Sequence, residues 1–206
     1  LHDLSRLRGF ALDEYVGLAP GHPQSYASVI RAEFVGPLGL DPAQARVPPT
    51  DLAHLRAVAD EYETSIAVAG GVDLQLLGIG TDGHVGFNEP GSSLASRTRV
   101  KTLTEQTRRD NSRFFRSLDE VPLHCVTQGL GTIREARHLV LLAFGAGKAV
   151  AVAAAVEGPV TASVPASIIQ LHPHATVVVD EDAASRLRRA GYYRHAFENK
   201  PDWQEI

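Results

Sequence analysis

The sequence predicts an α/β protein with a mostly parallel sheet covered by helices on both faces. Short apolar runs alternate with helical patterns along the chain, and this alternation is typical of three-layer folds with a parallel sheet. The 206 residues are 44% hydrophobic and 21% charged, which suits a single soluble core. We therefore expect one domain over residues 1–206 with a Rossmann-like arrangement.

The strands are predicted by short apolar runs, several of which end in glycine. Residues 7–12 run into two acids, and residues 73–79 run into a glycine-rich turn. The other predicted strands lie at 100–103, 136–144 and 175–179.

The helices are predicted where a capping residue precedes apolar residues at helical spacing. Pro23 suits the first turn of a helix that runs to about Val35. Thr50 is a good N-cap for a second helix, and Thr104 for a third that reaches about Phe115. The apolar residues of the second helix and the spans of the later helices are Leu52, Leu55, Val58 and Ala59, then 149–156, 165–171 and 182–190.

Composition excludes several classes of function. Twenty lysines and arginines against 24 acids give a net charge of -4, without the basic excess of a nucleic-acid-binding protein. Cys125 is the one cysteine, so no intramolecular disulfide can form, and a reducing, cytoplasmic location is expected. The longest apolar run, 139–156, is interrupted by Gly145, Gly147 and Lys148, and therefore predicts a strand, a turn and a helix rather than a membrane span.

Ionisable side chains follow three of the predicted strands. Asp13 follows the first strand, Asp82 and His84 follow the second, and Lys148 follows a later one. In parallel sheets, ligands bind outside the carboxyl ends of the strands. The four groups are therefore expected together on one edge of the sheet, as a candidate ligand site.

Residues 78–83 match the G-x-G-x-x-G pattern of dinucleotide-binding folds. That pattern should open a helix and be followed by an acid at the end of the next strand. Residues 84–90 contain no helical pattern, and Lys101 stands near the next strand end, so a nucleotide site is disfavoured. The glycines are instead expected to form a tight turn that approaches a small substrate closely.

Residues 145–148 place two glycines and Lys148 between a predicted strand and a predicted helix. The spacing differs from that of a P-loop, and Ala149 stands where Ser or Thr would bind magnesium. An anion site at the helix N-terminus is one interpretation. An ordinary turn with a solvent-exposed lysine is the other, and on these residues alone it is slightly favoured.

Asp82, His84 and Glu89 lie within eight residues of one another. These are metal-ligand types, but their spacing does not place them on one helix face, and no thiolate is near. A histidine oriented by two carboxylates is suited to proton transfer near neutral pH. We favour proton transfer, and no metal is expected.

The run Leu77-Gly-Ile-Gly-Thr-Asp-Gly-His-Val-Gly-Phe-Asn-Glu-Pro-Gly-Ser-Ser93 closely resembles the signature of glucosamine-6-phosphate deaminases. The resemblance extends from about Leu7 to about Arg188. It implies the deaminase/isomerase type of three-layer fold. It also implies hydrolytic, isomerising deamination of glucosamine 6-phosphate to fructose 6-phosphate and ammonia, in the catabolism of N-acetylglucosamine. Further similar stretches are 12–18, 22–26, 94–104, 111–115 and 171–173.

The resemblance implies roles for individual residues. Asp13 matches the general base of the family. Asp82, His84 and Glu89 match its catalytic relay, in which the histidine opens the sugar ring. The chemistry requires neither a metal nor a redox cofactor. The side chains that match ligands of the substrate phosphate are Arg113 and Lys148.

A regulatory site is also implied by the resemblance. Ser92, Arg99, Lys101 and Thr102 match positions where hexameric members bind the phosphate of the activator N-acetylglucosamine 6-phosphate. Arg99 and Lys101 are two residues apart, so an extended strand would point both to one face. A solvated basic strand is the alternative. The family includes monomers and hexamers, so a homo-oligomer stays open.

The sequence contains no methionine, no signal peptide opens it, and the Gly/Thr-rich phosphate loop of the family is not found in it. We therefore expect the N-terminal strand of the sheet to be missing from this chain. Two other functions remain as alternatives, a 6-phosphogluconolactonase-type hydrolase with a similar loop and a non-catalytic sugar-phosphate-binding relative. Residues 13–15 and 88–90 favour the deaminase.

Overall fold

The computed structural model describes residues 3–50 and 54–204. These residues form two compact units. The first unit comprises the described residues of Leu1–Val72, Gly86–Asn88 and Ala95–Glu135. The second comprises the described residues of Asp73–Val85, Glu89–Leu94 and Ala136–Ile206.

The strands of the described residues are short. In chain order they are β1 (Gly9–Phe10), β2 (Asp13–Tyr15), β3 (Ala45–Arg46), β4 (Leu74–Leu77), β5 (Arg99–Thr102), β6 (His124–Thr127), β7 (His138–Ala143) and β8 (Ala175–Val179).

The α-helices alternate with these strands through most of the chain. They are α1 (Tyr26–Ile30), α2 (Gly36–Leu38), α3 (Leu55–Val68), α4 (Glu105–Asn111), α5 (Leu130–Arg134), α6 (Ala149–Glu157), α7 (Glu181–Ala184) and α8 (Ala190–Glu198). A π-helical turn, Arg31–Val35, joins α1 to α2, and 3₁₀ turns lie at Pro42–Gln44, Ser112–Phe114, Leu118–Glu120, Ala146–Lys148 and Pro165–Leu171.

The first unit contains two small sheets. β1 pairs with β3 in parallel, and β2, β6 and β5 form an antiparallel sheet with β6 in the centre. Tyr15, Phe87, Leu103 and Cys125 form a buried apolar cluster beside this sheet. The rings of Tyr15 and Phe87 lie 5.3 Å apart, so the cluster anchors residue 87 to β2.

The second unit contains a parallel sheet in the order β4-β7-β8. Leu77, Leu139 and Leu141 are buried in it, and α6 packs against the turn Pro165–Leu171. Strand, turn and helix follow one another at β7 and α6 as the glycines of residues 145–148 predict. The α/β class with mostly parallel strands is therefore confirmed, since three of the strand pairings are parallel and two are antiparallel.

The structure corrects the expected position of Asp13. Asp13 follows β1, as expected, but β1 pairs with β3 and not within the sheet of β4, β7 and β8. Asp13 itself begins β2, which pairs antiparallel with β6 in the first unit. The reason is a missed strand, because residues 124–127 were not predicted to pair with anything. Their pairing with both β2 and β5 builds the antiparallel sheet.

Several helix boundaries also differ from the prediction. The first helix begins at Tyr26 after the N-cap Ser25, rather than at Pro23. The second begins at Leu55 after His54 rather than after Thr50, and Leu52 lies outside the described residues. The predicted closing helix 182–190 ends early as α7, at Ala184, and a separate helix, α8, begins at Ala190 and runs to Glu198. Side-chain capping accounts for the starts of α1 and α7, where Ser25 accepts the amide of Ser28 and Asp180 that of Ala183.

No helix among residues 3–50 and 54–204 is long and apolar enough to cross a bilayer.

Candidate active site

A tight turn follows β4 in the second unit. The Gly80 amide donates to the His84 carbonyl over 2.9 Å, and the Gly83 amide donates to the Gly80 carbonyl over 3.1 Å. Gly83 has a φ of +87°, which only glycine adopts without strain. We call residues 80–84 the relay turn. The bonds between its own residues are local, and the Gly83 carbonyl also accepts the backbone amide of Ala166 over 2.8 Å, which joins the turn to the segment Pro165–Leu171.

The relay turn presents a histidine between two carboxylates. His84 Nδ1 lies 2.7 Å from Asp82 Oδ1 and 3.6 Å from Glu89 Oε2. Asp82 Oδ1 also accepts the backbone amide of His84 over 3.1 Å. The side chains of His84 and Asp82 are 18% and 28% exposed, whereas that of Glu89 is 4% exposed. Asp82 therefore fixes the imidazole orientation and leaves Nε2 as the nitrogen to exchange protons.

The same three residues are the group of described side chains that could hold a metal ion. Their ligand atoms lie within 4.8 Å of one another. The 2.7 Å separation of His84 Nδ1 and Asp82 Oδ1 is, however, the length of a direct hydrogen bond. This bond orients a proton-transferring imidazole, so the geometry favours the relay over metal ligation.

Gly80 lies directly beneath the imidazole of His84. A Cβ added at Gly80 would lie 2.2 Å from His84 Cε1 and 2.3 Å from Nδ1. Such distances are far below van der Waals contact, so only glycine lets the ring adopt this position. The sequence predicted a glycine-rich turn, but nothing in it indicated which glycine lies against the His84 imidazole.

Lys148 is held at the start of the same turn. Its Nζ donates to the Ile79 carbonyl over 2.6 Å, and it ends the 3₁₀ turn Ala146–Lys148 before α6. Lys148 is half-buried rather than a fully exposed lysine. Since β4 and β7 are parallel neighbours, Asp82, His84 and Lys148 follow strand ends at one edge, as predicted.

Asp13 is buried in the first unit. It is 7% exposed, and burial together with the neighbouring charge of Glu14 raises the pKa of its carboxyl from 3.8 to about 7. A carboxyl that ionises near neutral pH can both take up and return a proton. This is the property that a general base in an isomerisation needs.

Glu14 has a different role from its neighbour. Its Oε1 accepts the amides of Tyr15 and Tyr26 over 2.8 and 2.9 Å, and its Oε2 accepts the amide of Ala27 over 2.8 Å. The carboxylate thus satisfies amides at the start of α1 and joins β2 to this helix. The sequence analysis placed Glu14 at the end of the first predicted strand, and nothing in the sequence indicated these contacts.

Asp13, Thr127 and Arg99 lie opposite one another across β2, β6 and β5. We call these three residues the sheet row. Side chains that stand opposite one another in antiparallel strands share a face. The segment Gly86–Asn88 crosses the row: the Phe87 amide donates to Thr127 Oγ1 over 3.2 Å, and Arg99 Nη1 donates to Asn88 Oδ1 over 2.9 Å.

The other candidate residues have separate surroundings. Arg113 is exposed, with its guanidinium 4.7 Å from the centre of the Phe114 ring. Lys101 and Thr102 lie on β5 with Arg99, so the predicted basic strand is present. Ser92 is buried in the second unit, and its Oγ has no hydrogen-bond partner among the residues that the structure describes.

The sequence-predicted site residues are therefore distributed between the two units. The second unit brings together the relay residues and holds Lys148 beside the same turn. The first unit contains Asp13, Arg113 and the basic strand. Sequence reasoning did not assign the contacts of Thr127, Asn88 and Glu14. Thr127 stands opposite Asp13, whereas Asn88 and Glu14 bond to residues that are distant in sequence.

Comparison with known proteins assigns the chain to a family. The sequence model of glucosamine-6-phosphate isomerases/6-phosphogluconolactonase matches residues 2–179. The chain belongs to this family.

Curated relatives are similar along almost the whole chain. Glucosamine-6-phosphate deaminases of Pseudarthrobacter chlorophenolicus and Rhodococcus opacus are 62% and 63% identical over 204 residues. Each alignment covers 99% of this chain and 79% of the relative.

Solved structures have the same fold. A monomeric glucosamine-6-phosphate deaminase superposes with a TM-score of 0.84 at 41% identity, over 87% of this chain and 74% of the other. A 6-phosphogluconolactonase from Trypanosoma brucei has a TM-score of 0.68 at 21% identity, over 88% and 74% of the two chains. The latter likeness concerns the fold alone.

Proposed function

We propose that the chain catalyses the isomerising deamination of glucosamine 6-phosphate to fructose 6-phosphate and ammonia. The observation that carries the proposal is the buried Asp13 carboxyl, whose pKa of about 7 suits reversible proton transfer at neutral pH. Family membership and relatives more than 60% identical, each a glucosamine-6-phosphate deaminase, support the same reaction.

Ring opening is assigned to His84. The cyclic sugar opens when the hemiacetal hydroxyl loses a proton and the ring oxygen gains one, which exposes an aldehyde at C1. An imidazole oriented by a 2.7 Å bond to Asp82 can carry this proton through its other nitrogen. Glu89, 3.6 Å from Nδ1, adds a second negative charge that stabilises the protonated ring.

Isomerisation is assigned to Asp13. Its carboxylate removes the proton from C2 of the open-chain amino aldehyde, which gives an enolamine. Return of the proton to C1 gives an imine at C2. Water then adds to C2 and ammonia leaves, so that a C2 ketone remains and the C–N bond has been hydrolysed. The steps balance without oxidant or reductant, and no cofactor or metal is required.

Binding of the substrate phosphate is assigned to Lys148 and Arg113. Lys148 is half-buried at a strand-to-helix turn, where an ammonium and helix amides favour an anion. Arg113 is exposed and offers a planar donor pair to phosphate oxygens.

The remaining proposals concern setting and regulation. We propose that the 206 residues act as one catalytic domain in cytoplasmic catabolism of N-acetylglucosamine. N-acetylglucosamine 6-phosphate would act as an effector through Ser92, Arg99, Lys101 and Thr102, in a monomer or a homo-oligomer. The basic residues on β5 support an anion ligand.

The deciding experiment measures two products with one preparation of the protein. Ammonia release from glucosamine 6-phosphate is expected, and hydrolysis of 6-phosphogluconolactone is not. Lactone hydrolysis without ammonia release would replace the deaminase by a lactonase. Calorimetric binding of the amino sugar phosphate without either product would indicate a non-catalytic binding protein.

A further inference from the structure

We propose that Arg99 and Asn88 are positioning residues that hold the segment Gly86–Asn88 against Asp13. The proposal rests on the proposed function, because Asp13 is the base of that reaction. It assigns to Arg99 a role in the basal reaction, independent of any effector. Asp13, Gly86–Asn88 and Arg99 all belong to the first unit.

The first step is the sheet row itself. Asp13 and Arg99 both stand opposite Thr127, from the two neighbouring strands of β6. Their side chains therefore emerge on one face of the antiparallel sheet, with the threonine hydroxyl between them. A chain segment that crosses this face contacts the base at one end and the guanidinium at the other.

The second step is the close contact at the Asp13 end. Gly86 has a φ of +55°, and a Cβ added there would lie 3.0 Å from Thr127 Oγ1 and 3.3 Å from Asp13 Oδ2. The backbone at residue 86 is thus packed on the carboxyl of the base. This packing contributes to the burial that Asp13 experiences.

The third step is the anchor at the Arg99 end. Asn88 is fully buried, and its amide nitrogen donates to the Gln128 carbonyl over 2.8 Å while its oxygen accepts from Arg99 Nη1 over 2.9 Å. The two bonds fix the asparagine between β5 and the end of β6. Arg99 also donates to the Arg97 carbonyl over 3.2 Å, which orients the guanidinium.

The charge of Arg99 is partly removed from water at this position, which is energetically unfavourable. Arg99 is half-buried, and this burial lowers the pKa of its guanidinium. A partly buried charge is tolerated when it is hydrogen-bonded, and the bond to Asn88 is a charge-assisted one. The charged guanidinium therefore holds the segment Gly86–Asn88 by a stronger hydrogen bond than a neutral side chain would form.

The test compares Arg99→Met, which removes every donor, with Arg99→Gln, which retains one. In the absence of effector, Arg99→Met is expected to lower kcat about 10- to 100-fold with little change in KM, because the geometry around the base loosens. Arg99→Gln should recover most of the loss. Arg109→Met, which removes an exposed arginine paired with Glu105, is the matched control and should retain the parent kcat.

A double variant tests whether Arg99 acts through Asn88. Asn88→Ala should resemble Arg99→Met, and the two substitutions together should cost little more than either alone. Additive losses would overturn the proposal, because they indicate independent roles. A rise in KM with unchanged kcat would also overturn it, since Arg99 would then contact substrate directly.

Amide hydrogen exchange supplies a readout that does not depend on activity. The Phe87 amide donates to Thr127 Oγ1, and its protection should fall in Arg99→Met but not in Arg109→Met. If the parent released no ammonia, the proposed function would fail while this measurement still decided the positioning role. If Arg99→Met did not fold, Thr127→Val against Thr127→Ser would test the same segment, since only serine retains the acceptor.

Discussion

The relay turn and the segment Gly86–Asn88 are separated by one residue, yet they are stabilised in different ways. In the relay turn, the bonds within the turn connect residues at most four positions apart, such as Gly80 to His84 and His84 to Asp82. One further backbone bond, from the Ala166 amide to the Gly83 carbonyl, joins the turn to a distant segment. In the segment, Phe87 and Asn88 bond to partners 40 residues further along the chain. One continuous signature therefore contains a turn built mainly from local hydrogen bonds and a segment whose side-chain contacts depend on a distant strand.

The difference corresponds to two chemical tasks. The relay turn leaves His84 partly exposed, as a group that exchanges protons with a ring oxygen requires. The segment packs on a buried carboxyl, and burial is what raises the pKa of Asp13 to about 7. A solvent-accessible imidazole and a desolvated carboxyl are complementary acid–base groups.

The strongest way to test this division is Asp13→Asn. We expect turnover to fall by about 10³- to 10⁴-fold, because an amide cannot carry the proton from C2 to C1. KM should stay within a few-fold, since Asp13 acts in the transition state rather than in ground-state binding. Ammonia release and calorimetric affinity measure the two effects.

The control for this variant is Asp119→Asn, which changes an exposed acid to its amide. It should leave turnover at the parent level. Near-normal ammonia production by Asp13→Asn would show that Asp13 is not the general base, and that its buried carboxyl has no role in proton transfer.

Asp13→Asn also tests the burial argument through stability. The pKa is raised from 3.8 in an unfolded chain to about 7 in the fold, so the folded state binds the proton more tightly. The resulting stabilisation is fully present below 3.8, is lost progressively as the pH rises, and is gone above about 7. Each unit of pKa corresponds to about 1.4 kcal/mol, so the cost of ionising Asp13 at alkaline pH is a few kcal/mol.

The melting temperature of Asp13→Asn should therefore exceed that of the parent at about pH 8 by more than at about pH 5. A change of 1 kcal/mol shifts the Tm of a protein of this size by about 2–4 °C. Asp119→Asn should show no such pH-dependent difference. A constant difference between the Asp13 variant and the parent at both pH values would mean that the folded carboxyl is already ionised at about pH 5, so that its pKa is not raised.

The relay turn and the parallel strands could be predicted from the sequence. The relay turn was recognised from its glycines, and the strands β4, β7 and β8 from their apolar runs. Each of these features is encoded by contiguous residues, so periodicity and turn chemistry are sufficient.

The antiparallel sheet and the contacts of the segment Gly86–Asn88 could not be predicted in the same way. Residues 124–127 form a short strand with no alternating pattern, and its β-branched Val126 and Thr127 were the only local hint. Which strands it joins is decided by tertiary packing. Glu14 is similar, because its amide partners at the start of α1 lie 12 and 13 residues further along the chain.

Two glycines in the signature give a sharper test of the relay turn. Gly80→Ala should displace the His84 ring, since the added Cβ would lie 2.2 Å from Cε1. We expect kcat for the cyclic sugar to fall about 10- to 100-fold, because the imidazole no longer reaches the ring oxygen. Binding of a linear polyol phosphate should change little, as it should for His84→Gln.

Gly78→Ala is the matched control for this variant. A Cβ at Gly78 meets no atom of the described residues within 4 Å, so alanine should be accommodated with nearly parent kinetics. Equal losses for the two alanine variants would show that general flexibility of the turn matters, rather than the contact between Gly80 and the imidazole.

The smallest expected effect concerns two cations of the same strand. Arg99 stands in the sheet row and bonds to Asn88, whereas Lys101 stands opposite Cys125, one row away on the same face. If β5 binds an anionic effector, Lys101→Ala should raise the N-acetylglucosamine 6-phosphate concentration needed for half-activation about tenfold, the cost of one charge-assisted hydrogen bond.

The measurement is initial ammonia release against effector concentration, with Lys101→Arg as the charge-retaining control. Because Lys101 lies outside the sheet row, its loss should act on the effector response, while the loss of Arg99 acts on turnover without effector. Hyperbolic kinetics indifferent to the effector in both parent and variant would contradict regulation through β5. The strand would then serve only to hold Asn88, and its second cation would be a solvated surface group.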